Sequence, residues 1–290
     1  MERKGIILAG GKGSRLSPLT IAFSKQFLPV YDKPLIYYPL STLMLVGIRE
    51  FLIITKESDL KMFKKILGDG SHLGIEISYK VQIEPRGIAE AFLIGEKFIK
   101  ESHTALILGD NLFHGYNLIT QVKKASERHS GGSIFLYPVN EIERYGIASL
   151  DSQGNIKTII EKPKDSKSNL AVTGLYLYDE TVVERAKILT PSARGELEIT
   201  SINNSYLKED QLYAENLGRG MTWLDTGTFD SLNDASSYIR TIENRQGLKI
   251  GCPEEAAWRA GWITENQLKN IARKYNNSSY GQYLEKIIKY

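Results

Sequence analysis

A short apolar run that passes directly into a glycine-rich turn is the feature that most constrains this chain. Residues 5–16 read GIILAGGKGSRL. The run 6–8 has the composition of a strand that is buried on both faces of a parallel sheet. The glycines let the backbone pass close to a ligand, and Arg15 adds a guanidinium that matches phosphate oxygens. The segment therefore predicts a nucleotide phosphate site at the end of the first strand.

Two common phosphate-binding motifs do not match this segment. A P-loop requires Gly-Lys-Ser/Thr at its end, whereas Gly13 follows Lys12 here. A dinucleotide fingerprint requires a third small residue where Leu16 stands, and no acidic residue closes a second strand about twenty positions later. A P-loop enzyme and a Rossmann dehydrogenase are therefore disfavoured. The simplest alternative to a phosphate site is a glycine-rich surface turn.

The composition limits the class of protein. A chain of 290 residues with 42% hydrophobic and 24% charged residues can form one large α/β domain or two modest ones. A net charge of +3 does not favour nucleic-acid binding. Cys252 is the only cysteine and the four histidines lack a paired spacing, so neither a disulfide framework nor a zinc site is expected. No signal peptide or membrane span is recognisable, which predicts a cytoplasmic protein without a membrane partner.

Strand-like and helix-like segments alternate in the first half of the chain. The expected strands are 5–8, 50–55, 75–81, 105–108 and 133–139, and the expected helices are 39–47, 58–67, 88–100 and 118–128. Such alternation predicts an α/β fold in which a Rossmann-like mixed sheet, mostly parallel in its core, is flanked by helices.

The second half of the chain differs in character. We expect short antiparallel strands within 144–160, a strand at 172–178 and a hairpin that pairs 213–217 with 221–224. Helices are expected at 197–208, at 230–245 and within 251–290, where an apolar stripe consists of Tyr283, Leu284, Ile287 and Ile288. Because no clear linker is present, one domain with a helical C-terminal appendage is favoured.

Two aspartates follow apolar strands. Asp110 comes after the run 105–108, and Asp225 comes after Trp223 and Leu224. In open α/β sheets ligands lie beyond the carboxyl ends of the strands. Mg²⁺ takes one or two carboxylates and completes its shell with water and substrate phosphates. The two residues are therefore candidate magnesium ligands, although turn and helix N-cap aspartates are also common.

Further polar side chains suit the same chemistry. Lys25 can meet the polyphosphate that Arg15 binds, and Gln26 offers an amide to a ribose or base. Glu161 can accept hydrogen bonds from sugar hydroxyls, and Lys162 can hold a sugar phosphate. For any single lysine a solvated surface position is the more common role. The residues alone indicate a magnesium-dependent enzyme that handles phosphate.

Several longer motifs occur in the order found in one known family. They are GIILAGGKGSRL, SKQFLPVYDKPLIYYPLSTLMLVGIRE, LILGDN, RYGIASL, EKP, VTGLYLYD, RGELEIT and WLDTGTFDSL. In these motifs, from residue 3 to the C-terminus, the chain resembles the sugar nucleotidyltransferases, and within them the bacterial glucose-1-phosphate thymidylyltransferases. The resemblance implies a Mg²⁺-dependent transfer of a thymidylyl group from dTTP to α-D-glucose 1-phosphate. The products would be dTDP-glucose and pyrophosphate, in the first step of dTDP-rhamnose or deoxysugar biosynthesis.

The resemblance also implies roles for individual residues. The nucleotide-binding set would be Leu8, Gly10, Gly11, Gly13, Ser14, Arg15, Lys25, Gln26, Gln82, Pro85, Gly87 and Asp110, in which Gln82 and Gly87 read the base. The sugar-phosphate set would be Asn111, Tyr145, Gly146, Glu161, Lys162, Val172 and Arg194, of which Lys162 and Arg194 hold the phosphate. Asp110 and Asp225 would bind Mg²⁺ and, with Arg15, Lys25 and Lys162, form the catalytic set.

The same resemblance implies an organisation and a regulation. Residues 1–250 would form the nucleotidyltransferase core, with a nucleotide-binding half at about 1–130 and a sugar-phosphate-binding half at 131–250. Residues 251–290 would form a helical oligomerisation and regulatory segment of a homotetramer, built as a dimer of dimers. A second site, for inhibition by a dTDP-sugar, would use Leu45, Gly115, Gly218, Arg219, Glu255 and Arg259.

Three residues depart from the pattern of the family. Arg86 stands where relatives usually have an acidic residue, which reverses the charge beside Gly87. Lys12 replaces a small residue in the glycine-rich turn, and we expect it to face solvent. Ile119 replaces a histidine of the second site, which weakens the case for regulation there.

Two alternative functions stay open. A uridylyltransferase or an enzyme for another sugar 1-phosphate fits as well, because uracil presents to Gln82 the same edge as thymine. A non-catalytic sugar-nucleotide-binding regulatory subunit is less favoured, since the chain retains all the charged residues of the catalytic set.

Overall fold

One nine-stranded mixed sheet and two small two-stranded sheets organise the chain in a computed structural model that describes residues 3–289. The strands are β1 Arg3–Ala9, β2 Pro29–Val30, β3 Lys33–Pro34, β4 Glu50–Thr55, β5 Glu76–Val81, β6 His103–Leu108, β7 Asn111–His114, β8 Gly132–Pro138, β9 Gly146–Leu150, β10 Ile156–Glu161, β11 Leu170–Tyr178, β12 Leu212–Asn216 and β13 Thr222–Asp225. The helices are α1 Leu19–Ala22, α2 Tyr37–Leu45, α3 Glu57–Leu67, α4 Glu90–Ile94, α5 Glu96–Ile99, α6 Leu118–Ser126, α7 Val182–Lys187, α8 Ile199–Leu207, α9 Phe229–Gln246, α10 Pro253–Arg259, α11 Glu265–Lys274 and α12 Ser279–Ile287.

The first strand lies inside the large sheet. β1 pairs in parallel with β4 on one side and with β6 on the other, and β5 continues the parallel part beyond β4. Ile6 and Ile7 point to opposite faces and both are fully buried, as expected for a strand with helices on each side. The mostly parallel core that the sequence predicts is therefore confirmed.

Antiparallel strands complete the large sheet. β11 runs antiparallel to β6 and also pairs with β8 and β9. β10 pairs antiparallel with β9, which confirms the antiparallel strands expected within 144–160. This half of the sheet brings the polar ends of β9 and β10 towards the end of β6.

Helices cover both faces of the sheet. On one face, α2, α3 and α6 pack with the C-terminal helices against Ile7, Ile53 and Ile107. On the other face, α4, α7 and α8 pack against Ile6, Leu52 and Leu106. No helix among residues 3–289 is both long and apolar enough to span a membrane.

The C-terminal apolar stripe packs within its own chain. Tyr283, Leu284 and Ile287 on α12 are buried in the core that also contains Ile7, and Ile288 packs against the same core. Helix α10 packs on α2, and α11 packs on α12. The stripe therefore stabilises the fold of one subunit.

Two predicted elements are wrong. The segments 213–217 and 221–224 do not form a hairpin, because β12 pairs in parallel with β8 whereas β13 pairs antiparallel with β7. Pairing with β7 buries Trp223, and its indole N–H donates to Asn111 Oδ1 at 2.6 Å. The helix expected over 88–100 is divided into α4 and α5 at Gly95, where the backbone lies against Ile6 and Leu52.

Candidate active site

The glycine-rich turn begins where β1 ends, beside the end of β6. Leu8 pairs with Leu108, and Gly109 N–H donates to the carbonyl of Leu8 at 2.9 Å. A Cβ on Gly10 would collide with Oε1 of Gln82, so the turn needs a glycine at this point. The parallel pairing thus brings the glycine-rich turn next to the Gly109–Asp110 segment and to Gln82, the residue predicted to read the base.

The charged side chains of the turn face outward. Lys12, Ser14 and Arg15 are exposed, and the backbone of Gly13 is left-handed, with φ of 63°. Thr20 Oγ1 donates to the carbonyl of Gly13 at 2.8 Å, which holds the turn against the following segment. Arg15 lines a polar cleft at this edge of the sheet, whereas Lys12 does not.

The two candidate metal ligands are brought together by the β7–β13 pair. Asp225 lies opposite Asn111, and Thr226 N–H donates to the carbonyl of Asp110 at 3.1 Å. Each carboxylate has a cationic partner. Lys25 Nζ contacts Asp110, and one terminal nitrogen of Arg144 lies 2.9 and 2.7 Å from the two carboxylate oxygens of Asp225.

The two carboxylates experience different electrostatic environments. Burial acts to raise the pKa of Asp110, but the charge and hydrogen bond of Lys25 outweigh it, so the pKa is lowered overall. Burial raises the pKa of Asp225, and the nearby charge of Asp110 adds to this, although Arg144 and Tyr145 oppose it. The β7–β13 pairing and the Thr226–Asp110 hydrogen bond keep the two carboxylates close to each other.

The donor set at this point fits magnesium. Asp110 and Asp225 supply carboxylate oxygens, and no group of three or more His, Cys, Asp or Glu side chains poised for a metal occurs within residues 3–289. Mg²⁺ characteristically binds one or two protein carboxylates and retains water or phosphate oxygens at its other positions. A pair of carboxylates beside a turn that is predicted to bind phosphate matches that preference.

A cleft of about 210 Å³ opens next to the two aspartates. Its lining includes the complete predicted sugar-phosphate set, which is Asn111, Tyr145, Gly146, Glu161, Lys162, Val172 and Arg194. Arg15, Asp110 and Asp225 line the same cleft. The fold therefore brings together residues that are more than two hundred positions apart in the chain.

Glu161 and Lys162 occupy the end of β10. Glu161 Oε2 accepts a hydrogen bond from Thr200 at 2.5 Å, and its Oε1 lies 3.4 Å from Arg194. Lys162 has φ of 44°, an uncommon conformation for a residue with a side chain, and its N–H donates to the carbonyl of Tyr145 at 3.0 Å. Outliers of this kind persist where the surrounding structure holds them, and they occur often at ligand sites.

Arg194 and Asn111 are held by neighbouring residues. One terminal nitrogen of Arg194 donates to the two carboxylate oxygens of Glu198 at 2.8 and 2.9 Å, so the guanidinium is anchored at the cleft. Asn111 is buried, and its Oδ1 accepts from Trp223 and from Gly174 N–H at 3.2 Å. The Asn111 amide therefore supports the floor of the cleft with its oxygen already engaged.

The residues predicted to read the base lie beyond the end of β5. Gln82 is buried, and its N–H donates to the carbonyl of Thr55 at 2.8 Å. Gly87 has φ of 111°, and a Cβ there would collide with the backbone of Leu197. Gln26 is also buried and accepts a hydrogen bond from Ser24 at 2.5 Å. Gln82 borders the glycine-rich turn at Gly10, and none of Gln26, Gln82 and Gly87 lines the cleft that contains Arg15.

The chain matches the nucleotidyl transferase family model over residues 4–242. A glucose-1-phosphate thymidylyltransferase of Mycolicibacterium smegmatis is 54% identical, with 98% of this chain and 99% of the relative covered. One of Neisseria meningitidis is 51% identical, with 99% of each covered. The chain belongs to the nucleotidyl transferase family, in its glucose-1-phosphate thymidylyltransferase branch.

Solved structures agree with this membership. A protein from Bacillus anthracis, assigned as a glucose-1-phosphate thymidylyltransferase and crystallised with sucrose, has a TM-score of 0.77 and 41% identity, covering 82% of this chain and 95% of that one. A UDP-glucose pyrophosphorylase in complex with UDP-glucose has a TM-score of 0.73 and 25% identity, covering 83% and 99%. As a thymidylyltransferase family member the chain is an enzyme, so the regulatory-subunit alternative loses its support.

Several side chains of the candidate site were not predicted from the sequence. Arg144, Glu198, Thr200 and Trp223 all line the cleft, and each one contacts a predicted residue. Arg144 and Thr200 lie within the RYG and RGELEIT motifs. Those motifs were therefore the available signal, although the pairing partners depend on the fold.

The predicted regulatory residues divide into two groups. Leu45 and Gly115 line a second cavity of about 210 Å³, together with Ile119. A Cβ on Gly115 would contact the carbonyl of Gly220, so the turn that carries Gly218 and Arg219 lies beside this cavity. Glu255 and Arg259 form an ion pair of 2.7 Å on α10 and do not line the cavity. None of the cleft residues named above lines this second cavity.

Proposed function

We propose that this enzyme transfers a thymidylyl group from dTTP to α-D-glucose 1-phosphate and releases pyrophosphate, giving dTDP-glucose. The single observation that carries the proposal is the shared cleft, in which the phosphate-binding Arg15, the carboxylates Asp110 and Asp225 and the cation Lys162 line one space. Its members follow different strands at one edge of the sheet, the place where α/β folds bind nucleotides and their substrates.

The sugar phosphate would be held by Lys162 and Arg194. Both side chains line the cleft, and Glu161 lies between them, 3.9 Å from Lys162 Nζ and 3.4 Å from Arg194. A carboxylate can accept hydrogen bonds from sugar hydroxyls, while the two cations bind the phosphate. The pocket therefore fits a substrate that has hydroxyl groups at one end and a dianion at the other.

Mg²⁺ would be held by Asp110 and Asp225. When it is bound, the ion supplies positive charge to nucleotide phosphate oxygens. The cations Lys25 and Arg144, which neutralise the carboxylates, also keep this region of the cleft polar and able to accept phosphate.

The reaction needs no nucleophile from the protein. An oxygen of the sugar phosphate is already anionic and can attack the α-phosphorus of dTTP in line, which forms the new P–O bond as the bond to pyrophosphate breaks. The protein must bring two anions together and stabilise the charge that spreads over the transferred phosphate. Arg15, Lys25 and Lys162 suit this task, because each provides a fixed positive charge at the turn or the cleft.

Further properties complete the proposal. The reaction would be the first step of dTDP-rhamnose or deoxysugar biosynthesis, and a dTDP-sugar would inhibit by binding near Leu45, Gly115 and the 218–220 turn. The 251–290 segment would serve oligomerisation and regulation in a homotetramer. Ile119 lies in the cavity beside Leu45 and Gly115, so a dTDP-sugar would meet an apolar side chain there.

UTP is the second candidate for the nucleotide. The similarity to a UDP-glucose pyrophosphorylase structure favours it as the alternative. Pyrophosphate release should be measured with dTTP and UTP, each crossed with the 1-phosphates of glucose, galactose and N-acetylglucosamine. The proposal expects the highest kcat/KM for dTTP with glucose 1-phosphate. A preference for UTP would identify the enzyme as a uridylyltransferase that uses the same reaction. The absence of pyrophosphate release with every pair would overturn the proposed function.

A further inference from the structure

A buried carboxylate lies behind the residue proposed to read the base. Glu90, the first residue of α4, is only 4% exposed. Its Oε2 accepts from Gln82 Nε2 at 2.8 Å and from Arg86 N–H at 3.2 Å. Its Oε1 accepts from the Arg86 side chain, with Nε at 2.8 Å and a terminal nitrogen at 2.6 Å. One carboxylate thus joins the base-reading side chain to the loop that follows it.

Glu90 determines which way the amide of Gln82 points. An ionised carboxylate accepts hydrogen bonds and donates none, so the NH₂ group of Gln82 must face it. The amide oxygen then points the other way, to the position that a Cβ on Gly10 would occupy. Gln82 therefore presents an acceptor towards the glycine-rich turn and uses a donor to hold its orientation.

The same carboxylate fixes the neighbouring loop. Arg86 N–H is held by Glu90, and the carbonyl of Arg86 accepts from Leu197 N–H at 2.7 Å. Gly87 follows at once, in its left-handed conformation. Both groups proposed to read the base, the Gln82 amide and the Gly87 backbone, are thus held through Glu90.

Arg86 gains a role that its departure from the family pattern did not suggest. Its side chain is 63% exposed and spans the four positions to Glu90, whose side chain is 6% exposed. The reversed charge beside Gly87 is therefore neutralised by a buried partner. The guanidinium covers the carboxylate from the solvent side and donates to its Oε1, so that both carboxylate oxygens are engaged as acceptors.

We infer that Glu90, assisted by Arg86, is a positioning residue that selects pyrimidines with a hydrogen on N3 by fixing Gln82 with its amide oxygen towards the base. This inference rests on the proposed function. Thymine and uracil carry a hydrogen on N3, which can donate to that oxygen, whereas N3 of cytosine carries a lone pair instead and would oppose the oxygen as one acceptor against another. The arrangement therefore favours dTTP and UTP over dCTP, and does not by itself separate dTTP from UTP.

The test compares nucleotide preference in Glu90→Leu, Glu90→Gln and Arg86→Ala. In Glu90→Leu the Gln82 amide loses its fixed partner, so the ratio of kcat/KM for dTTP to that for dCTP should fall about tenfold or more, as for one misplaced hydrogen bond. The change should lie mainly in the KM for the nucleotide, while the KM for glucose 1-phosphate stays within about twofold. Glu90→Gln keeps an acceptor and should recover much of the ratio, and Arg86→Ala should lower it less than Glu90→Leu.

Glu96→Leu is the matched control, because Glu96 is the first residue of the next helix but pairs with Lys187 on an exposed surface. It should keep the wild-type ratio. The inference is overturned if a folded Glu90→Leu enzyme keeps the wild-type ratio, or if the KM for glucose 1-phosphate rises as much as that for the nucleotide.

Equilibrium binding of dTTP and dCTP to the same variants separates this inference from the proposed function. A wild-type protein that releases no pyrophosphate, but binds dTTP in preference to dCTP and loses the preference in Glu90→Leu, would overturn the activity and support the positioning role. A wild-type protein without preference between the two nucleotides would overturn the positioning role whatever its activity.

Discussion

At the scale of single residues, the cations of the candidate site differ in whether they form an ion pair with an acidic residue of the same chain. Lys25, Arg144 and Arg194 each pair with a carboxylate of the same chain. The side chain of Arg15, by contrast, makes no hydrogen bond or ion pair with any residue in the range 3–289. Removal of a cationic side chain that has no partner should change the free energy of unfolding little. Such a side chain is also available to bind a substrate phosphate.

Arg15→Ala should therefore separate activity from stability. We expect kcat to fall about 100-fold, equivalent to ~3 kcal/mol of lost transition-state stabilisation. The midpoint of thermal unfolding should hardly change, since exposed side chains without partners contribute little. Steady-state kinetics and calorimetry provide the two measurements. Lys12→Ala, in the same turn, is the control that should keep near-normal kcat, and a similar kcat for Arg15→Ala would refute the assigned role.

Asp225 allows a test of the proposed metal site. Asp225→Asn should raise the Mg²⁺ concentration that gives half-maximal rate by about tenfold or more, because one charged ligand is lost. Chelation of Mg²⁺ should abolish the wild-type rate, and added Mg²⁺ should restore it. Glu141→Gln removes the other acidic partner of Arg144 without changing a proposed ligand. Equal Mg²⁺ requirements in the two variants would contradict the assignment.

At the scale of secondary-structure elements, a buried charge network joins α9 to the β2–β3 pair. Glu243 on α9 accepts from Lys33 Nζ at 2.8 Å, from Lys249 Nζ at 3.1 Å and from Ile250 N–H at 2.9 Å. Asp32 is the second acid, and it contacts both lysines. The network balances two acids against two bases in a nearly dry environment.

Glu243→Ala should destabilise the fold strongly. It leaves two ammonium groups to share Asp32, and breaking a buried pair in this way costs about 3 kcal/mol or more. Denaturant unfolding measures the loss as a lower midpoint at unchanged slope. Glu265→Ala breaks an exposed pair with Lys269 on α11 and should change stability far less. Comparable losses in the two variants would show that burial of the network contributes nothing.

Helix α10 carries a buried acid that should make stability depend on pH. Burial raises the pKa of Glu254 above its ordinary value of 4.5, against the opposing hydrogen bond from Tyr280. The folded protein thus binds this proton more tightly than the unfolded chain, so the contribution of Glu254 to stability is greatest below about pH 4.5 and is lost as the pH rises through the raised pKa.

Glu254→Gln keeps a neutral side chain at every pH and should remove this dependence. The difference in unfolding midpoint, variant minus wild type, should therefore increase from pH 4.5 to pH 7. Calorimetric scans of both proteins across this range provide the measurement. A difference that stays constant, or that decreases with pH, would contradict the proposed burial effect.

At the scale of the whole molecule, the C-terminal helices are part of the subunit core. The apolar stripe on α12 is buried in the chain itself, so assembly cannot depend on that stripe. We expect the enzyme to sediment at four times the mass of one chain and to dissociate through a dimer on dilution. Analytical ultracentrifugation over a range of concentrations tests this, and a concentration-independent monomer would refute the homotetramer.

The sequence determined those elements whose signal is local. The apolar run 6–8 with its glycine turn, the alternating segments of the first half and the long helix α9 follow from composition and period, and the structure contains them. The sequence was less informative at 213–224, where two short strands that flank a glycine turn have the pattern of a hairpin. There the partners lie far away in the chain, at β7 and β8, and local pattern carries no information about them.

The sequence alone thus determined the residue types of the site, because phosphate and metal chemistry require cations, carboxylates and glycines at the ends of strands. Only the tertiary structure decided which of these side chains meet. Glu90 was one acid among many in the sequence, yet the fold places it behind Gln82, and Arg86 changes from an unexplained reversal of charge to the cover of that acid. The physical reason is that hydrogen bonds and ion pairs depend on distances of a few ångströms, and the packing of β5, α4 and the segment before α8 sets those distances.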